Sequence, residues 1–195
     1  MGKIVYIMGK SAAGKDSIYR EMMAHNAFGL LPIVPYTTRP IREGEIDGQT
    51  YHFRTNAQVE ELEKEGKIIE LRTYQTVAGP WHYFTVDDGQ FDLEHHHYCM
   101  IGTLESYRKL QDYFGKEALV PVYVDLDDGE RLARAVKRER LQKEPNYAEV
   151  CRRYLADQED FSDIHLEEAG IVEHFYNMNI QNALQAISSY LEEKL

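Results

Sequence analysis

Near its N-terminus the chain carries an apolar run that leads into a glycine-rich loop, Ile4-Val5-Tyr6-Ile7-Met8-Gly9-Lys10-Ser11-Ala12-Ala13-Gly14-Lys15-Asp16-Ser17. The apolar run is typical of a buried parallel strand. The spacing Gly-x-x-x-x-Gly-Lys before a helical pattern is that of a phosphate-binding loop, or P-loop. Gly9 and Gly14 permit turns that a Cβ would obstruct, and the loop N–H groups can surround an anion while Lys15 reaches its outer phosphates. The stretch therefore predicts a phosphate site formed by residues 9–17.

Asp16 occupies the position at which this loop normally carries a Ser or Thr that binds Mg²⁺. A carboxylate among phosphates is repelled unless a cation lies between them. Either Asp16 helps to hold Mg²⁺, directly or through water, or it points away and Ser17 takes part. We adopt the first interpretation as a hypothesis.

Length and composition narrow the class of protein. The 195 residues are enough for one domain with a hydrophobic core. A net charge of −11 argues against nonspecific binding to nucleic acid. No apolar run approaches membrane-spanning length, and because a strand pattern begins almost at once after Met1, we expect no signal peptide. We expect a cytoplasmic protein with neither membrane nor nucleic-acid partners, in which Cys99 and Cys151 are buried, reduced thiols.

Strand and helix patterns alternate along most of the chain, which predicts an α/β fold with a parallel sheet covered on both faces. We expect strands at 3–9, 30–34, 97–103, 118–126 and 171–176. We expect helices at 16–26, 104–114 and 180–193, a long charged helix capped by Asp127-Asp128, and, after a break at Pro145, another helix that runs to about Phe161. A turn and short helix are expected at 86–91, with Asp87-Asp88 as a helix cap. Residues 35–85 break the rhythm with polar turns, a helix near 56–65 and a strand at 67–71. The predicted organisation is a core of 1–34 and 86–195 with a small inserted subdomain at 35–85.

The second informative stretch lies at the start of the insertion, Thr37-Thr38-Arg39-x-x-Arg42-x-Gly44-Glu45-x-x-Gly48-x-x-Tyr51-x-Phe53. Arg39 and Arg42 can each bind an anionic oxygen through two N–H groups, and with Tyr51 they suit a monophosphate clamp. Taken by themselves, the two arginines fit a solvated basic pair equally well. The spacing closely resembles the nucleotide-accepting segment of guanylate kinases. The resemblance covers essentially the whole chain and is strongest in its first half.

This resemblance implies a P-loop NTPase core of three α/β/α layers, a subdomain for the nucleoside monophosphate (NMP) and a helical lid at about 134–153. Within the acceptor site it implies roles for Glu70, whose carboxylate suits the N1–H and N2–H₂ edge of guanine, and for Tyr83-Phe84-Thr85, a variant of the family's Tyr-Gly-Thr. It implies an enzyme, a transferase that moves the γ-phosphoryl group of ATP to GMP with Mg²⁺ as cofactor.

Several positions depart from the family pattern. Pro35 replaces a Ser, and Phe84 replaces a small glycine with a bulky ring. The family's Asp-x-Asp segment is replaced by Ile101-Gly102-Thr103-Leu104-Glu105, so its acidic pair is absent unless Glu105 substitutes or Asp16 supplies the acid near the metal. These departures leave the preferred base open.

A basic cluster marks the predicted lid, comprising Arg131, Arg134, Lys137, Arg138, Arg140, Arg152 and Arg153. The break at Pro145 suits a mobile lid, and arginines that close over the donor can stabilise the transferred phosphoryl group and exclude water. We expect Arg138 and Arg153 to act with Lys15 in catalysis. The alternative is a solvated helix face with the ion pairs Glu130–Arg134 and Glu149–Arg153.

Two other functions stay open at this stage. The loop form Gly14-Lys15-Asp16-Ser17 also looks like that of ribose bisphosphate kinases and some deoxynucleotide kinases, which would change the acceptor. A catalytically weak binding module, like the guanylate-kinase-like domains of scaffold proteins, is the other. The oligomeric state is open as well, and His95-His96-His97 is expected in a loop or strand entry rather than at a metal.

Overall fold

The computed structural model describes residues 1–42, 44–76 and 79–195. In chain order its elements are β1 (Ile4–Met8), α1 (Lys15–His25), β2 (Leu31–Pro32), β3 (Tyr36–Thr37), β4 (His52–Phe53), α2 (Asn56–Lys64), β5 (Ile68–Thr76), β6 (Gly79–Val86), β7 (Tyr98–Ile101), α3 (Leu104–Phe114), β8 (Leu119–Asp125), α4 (Asp128–Glu139), α5 (Tyr147–Asp160), α6 (Asp163–Glu168), β9 (His174–Tyr176) and α7 (Ile180–Lys194).

The main sheet has the strand order β2-β7-β1-β8-β9, and its strand pairs are parallel. Successive side chains of a strand point to opposite faces, and those of β1 are buried on both. Tyr6 and Met8 join an apolar cluster with Leu104 of α3, whereas Ile7 packs with Ile18 of α1 and other residues. The sheet therefore has helices on each side, as the α/β pattern predicts.

A second sheet, of order β4-β3-β6-β5, is inserted between β2 and β7 of the main sheet. Its largest part is the antiparallel hairpin of β5 and β6. One face carries an apolar cluster in which Tyr36, Phe84 and Val86 pack with Val59 of α2. The opposite face of β5 and β6 is left for polar and aromatic residues.

Several elements differ from the sequence prediction. Residues 87–91 contain no helix, so the expected cap at Asp87-Asp88 is wrong; these carboxylates instead accept hydrogen bonds from the hydroxyls of Tyr113 and Tyr36. The strand expected to end at residue 71 continues to Thr76 because its partner β6 pairs along that whole length. Helix α6 was not expected. The expected burial of Cys151 is wrong, since this residue is exposed on α5, whereas Cys99 is buried in β7 as expected.

Among the described residues, no helix is both long and apolar enough to cross a bilayer.

Candidate functional site

The P-loop between β1 and α1 has a backbone that only certain residues can adopt. Gly9, Ala12 and Gly14 have positive φ values of 152°, 63° and 96°. A Cβ on Gly9 would lie 2.3 Å from the carbonyl oxygen of Val124, and one on Gly14 would lie 2.2 Å from Nδ2 of Asn177. Both glycines are therefore required by close approach as well as by φ.

Asn177, which follows β9, fixes the second half of the loop. Its Nδ2 donates to the carbonyl oxygen of Ala13 at 2.8 Å. Its backbone N–H donates to the carbonyl oxygen of Asp125, also at 2.8 Å. Its own carbonyl accepts from Nη2 of Arg134 at 3.1 Å. Arg134, expected in the lid cluster or in a pair with Glu130, thus supports the loop indirectly, through Asn177.

The first half of the loop is tied to helices α4 and α5. The backbone N–H of Ser11 donates to Oδ2 of Asp157 at 2.7 Å, and Lys10 donates to Gln158. Arg131 connects these parts, since its Nη1 donates to the Ser11 carbonyl at 3.1 Å and to Asp157 at 3.3 Å, and its Nη2 to Asp128 at 2.7 Å. Its side chain is 1% exposed, 5.0 Å from the ring centroid of Tyr154. Arg131 is therefore a structural member of the expected lid cluster.

A cleft of about 640 Å³ opens beside the loop. It is lined by Ser11, Ala12, Lys15, Asp16, Arg42, Arg138, Glu139, Gln142, Lys143, Glu144 and Arg153. The cleft brings together Lys15 of the P-loop, Arg42 of the second stretch, and Arg138 and Arg153 of the expected lid. Glu149 pairs with Arg152 at 2.8 Å rather than with Arg153.

Burial lowers the pKa of Lys15, and the positive charges of Arg153 and Arg138 lower it further, whereas Asp16 and Asp157 oppose the shift. A polyphosphate in the cleft would restore favourable partners to these cations. Loop backbone, glycine cradle and cation cluster therefore fit the phosphates of a nucleotide.

The metal prediction rests on Asp16, which lies exposed at the start of α1 and lines the same cleft. Within residues 1–42, 44–76 and 79–195, His, Cys, Asp and Glu form no group of three that could hold a metal ion by itself. Mg²⁺ is commonly bound by one or two carboxylates together with substrate phosphates. Asp16 and the Ser17 hydroxyl offer oxygen ligands that fit this arrangement, and the role of Asp16 stays a prediction.

The second sheet carries the expected acceptor residues on one face. Glu70, Arg72 and Tyr74 alternate along β5, and in the register of the hairpin Glu70 pairs with Thr85 and Arg72 with Tyr83. The ring of Tyr83 lies edge-on to those of Tyr51 and Tyr74, with centroid distances of 5.8 and 5.6 Å.

Phe84 belongs to the opposite face of this sheet. It is fully buried in the apolar cluster, with its ring centroid 5.3 Å from that of Tyr36. Its replacement of the family's glycine therefore adds to the subdomain core rather than to the face that carries Glu70 and Tyr83.

Arg39 and Arg42 occupy different environments. Arg39 is 5% exposed, makes a bidentate pair with Glu45 at 2.7 and 2.5 Å, and lies 5.0 Å from the ring centroid of Tyr51. Glu45 also accepts from the backbone N–H of Arg42 at 2.8 Å. Glu45 thus fixes the backbone from which the exposed Arg42 side chain lines the cleft. Sequence reasoning missed Glu45, although it stands inside the quoted motif.

Arg72 was also missed. Its Nε and Nη2 donate to the two carboxylate oxygens of Glu70 at 3.0 and 3.3 Å, and its Nη1 donates to Oγ1 of Thr103 at 3.2 Å. Glu105, the suggested replacement for the missing acid, instead pairs with Lys109 at 2.8 Å. The alternation Glu70-Leu71-Arg72 was the available signal, since i and i+2 share a strand face.

The comparisons with known proteins point to one family. Residues 1–79 match the family model described as guanylate kinase. Over 73 residues the chain is 38% identical to the guanylate kinase of Streptococcus mutans serotype c and 37% identical to that of Streptococcus pyogenes serotype M3. Each match covers 37% of this chain and 35% of the relative, about a third of its length.

The chain resembles guanylate kinases over residues 1–79, which are less than half of its length. It also has the fold of the crystal structure of guanylate kinase from Anaplasma phagocytophilum, with a TM-score of 0.64, 17% identity and coverage of 99% of this chain and 86% of that chain. The residues that match the family model include the P-loop, the segment with Arg39 and Arg42, and strand β5, whereas helices α4 and α5 lie outside them. The predicted roles of Arg138 and Arg153 are therefore supported by their position in the cleft and not by this match.

Proposed function

We propose that this chain is an ATP-dependent nucleoside monophosphate kinase that converts ATP and GMP to ADP and GDP. The observation that carries the proposal is the single cleft in which Lys15, Arg42, Arg138 and Arg153 are gathered. These cations come from three separate parts of the chain, and together they can bind the phosphates of a donor and an acceptor that meet in the cleft.

Three parts of the chain divide the work in this proposal. The core of residues 1–34 and 86–195 binds ATP on the P-loop. The subdomain of residues 35–85 binds the acceptor through Arg42, Tyr51, Glu70, Tyr83 and Thr85, while Arg39 holds Glu45 and so supports the Arg42 backbone. The lid, at about residues 134–153, brings Arg138 and Arg153 over the transferred group and excludes water.

The reaction needs no protein nucleophile. A phosphate oxygen of the acceptor attacks the γ-phosphorus, a P–O bond forms, and the bond from that phosphorus to the β–γ bridging oxygen breaks, so that ADP leaves with the electron pair. Catalysis is then positioning and charge stabilisation. Lys15, Arg138 and Arg153 provide that charge, and Arg42 aligns the acceptor. Mg²⁺, held with the help of Asp16, supplies further charge neutralisation when bound.

The test is ADP release from ATP and Mg²⁺ with GMP, dGMP, AMP, CMP, UMP and ribose 1,5-bisphosphate as acceptors. We expect a nucleoside monophosphate to be phosphorylated, with GMP the best of the panel. Lys15→Met should reduce kcat at least about 100-fold because the cation at the outer phosphates is lost. Lys116→Met is the matched control. Lys116 is exposed and precedes β8, so it lies at the opposite end of the parallel strands from the P-loop.

Turnover on ribose 1,5-bisphosphate alone would assign another acceptor. Nucleotide binding without turnover on any acceptor would favour a binding module and refute the proposal. Full activity in Lys15→Met would refute the mechanism.

A further inference from the structure

Arg72 lies in the middle of the acceptor face and holds a carboxylate that is almost completely buried. The side chains of Glu70 and Arg72 are 1% and 11% exposed. Thr103 holds Arg72 in place, because its Oγ1 accepts a hydrogen bond from Nη1 of Arg72. Thr103 is itself held by Tyr6, whose hydroxyl donates to the Thr103 carbonyl at 3.0 Å. A Cβ on Gly102 would lie 1.8 Å from that hydroxyl, so the chain makes room for this arrangement.

Hydrogen-bond capacity shows what the pair can still offer. An ionised carboxylate has about four acceptor sites, and Glu70 uses three of them, two for Arg72 and one for Thr85 Oγ1 at 2.8 Å. A guanidinium has about five N–H donors, and Arg72 uses three, two on Glu70 and one on Thr103. About two donors and one acceptor remain, so the pair presents mainly donors.

We infer that Arg72 is a specificity-determining residue that selects a 6-oxopurine base. Its remaining N–H groups bind the carbonyl edge of the base, O6 and N7, the pairing that geometry favours for arginine. The remaining acceptor site of Glu70 takes the ring N1–H. Adenine would present its 6-amino donors to the guanidinium donors, and unpaired polar groups would result. This inference rests on the proposed function and names the base of its acceptor.

The pairing with Arg72 limits how well Glu70 can distinguish guanine from hypoxanthine. Guanine carries both N1–H and a 2-amino group, whereas hypoxanthine has only N1–H. A free carboxylate could accept from both groups of guanine, but Glu70 has capacity left for about one. The pair therefore discriminates weakly between guanine and hypoxanthine and strongly between these bases and adenine.

The experiment compares GMP, IMP and AMP in wild type by kcat/KM and by isothermal titration calorimetry. We expect GMP and IMP to agree within about threefold, and AMP to be weaker by about 10- to 100-fold. Arg72→Met keeps the apolar stem but removes the donors, so the preference for the 6-oxo bases should fall at least about tenfold, mainly through KM. The double variant Glu70→Gln with Arg72→Met avoids an unpaired buried carboxylate and should lose the preference as well.

Arg54→Met is the matched control because Arg54 lies over the ring of Tyr36, on the apolar face of the same sheet. It should leave the preference unchanged.

Three results would overturn the inference. A wild type that prefers GMP over IMP by at least about tenfold would show that Glu70 reads the 2-amino group. Folded Arg72 variants that lose affinity equally for all three nucleotides would give Arg72 a supporting role only. Absence of measurable binding to all three would also contradict it. Binding with the expected preference but without turnover would refute the kinase proposal while supporting the base selection.

Discussion

Asp157 Oδ2 accepts a hydrogen bond from the backbone N–H of Ser11 at 2.7 Å, which joins the P-loop to the helix that carries Arg153. The same carboxylate accepts from Nη1 of Arg131 at 3.3 Å, and Arg131 also holds the Ser11 carbonyl. The P-loop and helices α4 and α5 therefore share a partly buried polar connection, so a change in α5 acts directly on the P-loop.

Asp157→Ala should lower the free energy of unfolding by about 1–3 kcal/mol, since it removes the acceptor for Ser11 and leaves the buried Arg131 with fewer partners. ATP affinity should fall as well, because the loop loses its anchor. Urea unfolding and calorimetric titration with ATP measure the two effects. Glu159→Ala, an exposed change on the same helix, should alter neither; a similar loss in both variants would contradict the connection.

Gly14→Ala should damage the P-loop more than its backbone strain explains. An alanine at φ +96° costs about 1–2 kcal/mol, and its Cβ would also displace the Asn177 amide that holds Ala13. Gly170→Ala is the matched control, since Gly170 has φ +71° but open space around its Cβ position. We expect urea unfolding to show the larger loss at Gly14, together with weak ATP binding; equal losses in the two variants would rule out the contact with Asn177.

Glu45 gives the subdomain a specific response to acid. Its hydrogen bonds from Arg39 lower the pKa of Glu45 to about 2, below its ordinary value of 4.5. The pKa of Glu45 is lower in the folded protein than in the unfolded chain. Its pair with Arg39 therefore contributes fully to stability above pH 4.5, and this contribution is lost as the pH falls towards 2. Urea midpoints measured between pH 7 and 3 should fall less steeply in Glu45→Gln than in wild type. Parallel curves would show that the pair with Arg39 does not respond to pH in this way.

The elements that the sequence predicted well are those set by local pattern. β1, the P-loop and α1 follow one another without interruption, so apolar run, glycine spacing and helical periodicity act on adjacent residues. Helix α3 likewise has the predicted bounds, between the Thr103 cap and Gly115.

Contacts between distant parts of the chain escaped prediction. Ser11 and Asp157 are 146 positions apart, and no periodicity relates them. Helical spacing placed Arg131, Arg134 and Arg138 on one face, but it cannot show that the first two are held by the loop and by Asn177 while Arg138 lines the cleft. The depth of a side chain depends on which element covers it.

The two arginines of the expected clamp should separate in their effects. Arg39→Ala removes the partner of Glu45 and a contact of the Tyr51 ring, so the free energy of unfolding should fall by about 1.5–3 kcal/mol. Arg42→Ala removes an exposed side chain from the cleft and should leave stability within about 0.5 kcal/mol while raising the KM for the acceptor. Urea unfolding combined with steady-state kinetics distinguishes them. If Arg42→Ala destabilised the fold while Arg39→Ala changed only the KM, the assignment of Arg39 to the subdomain core and of Arg42 to the cleft would be reversed.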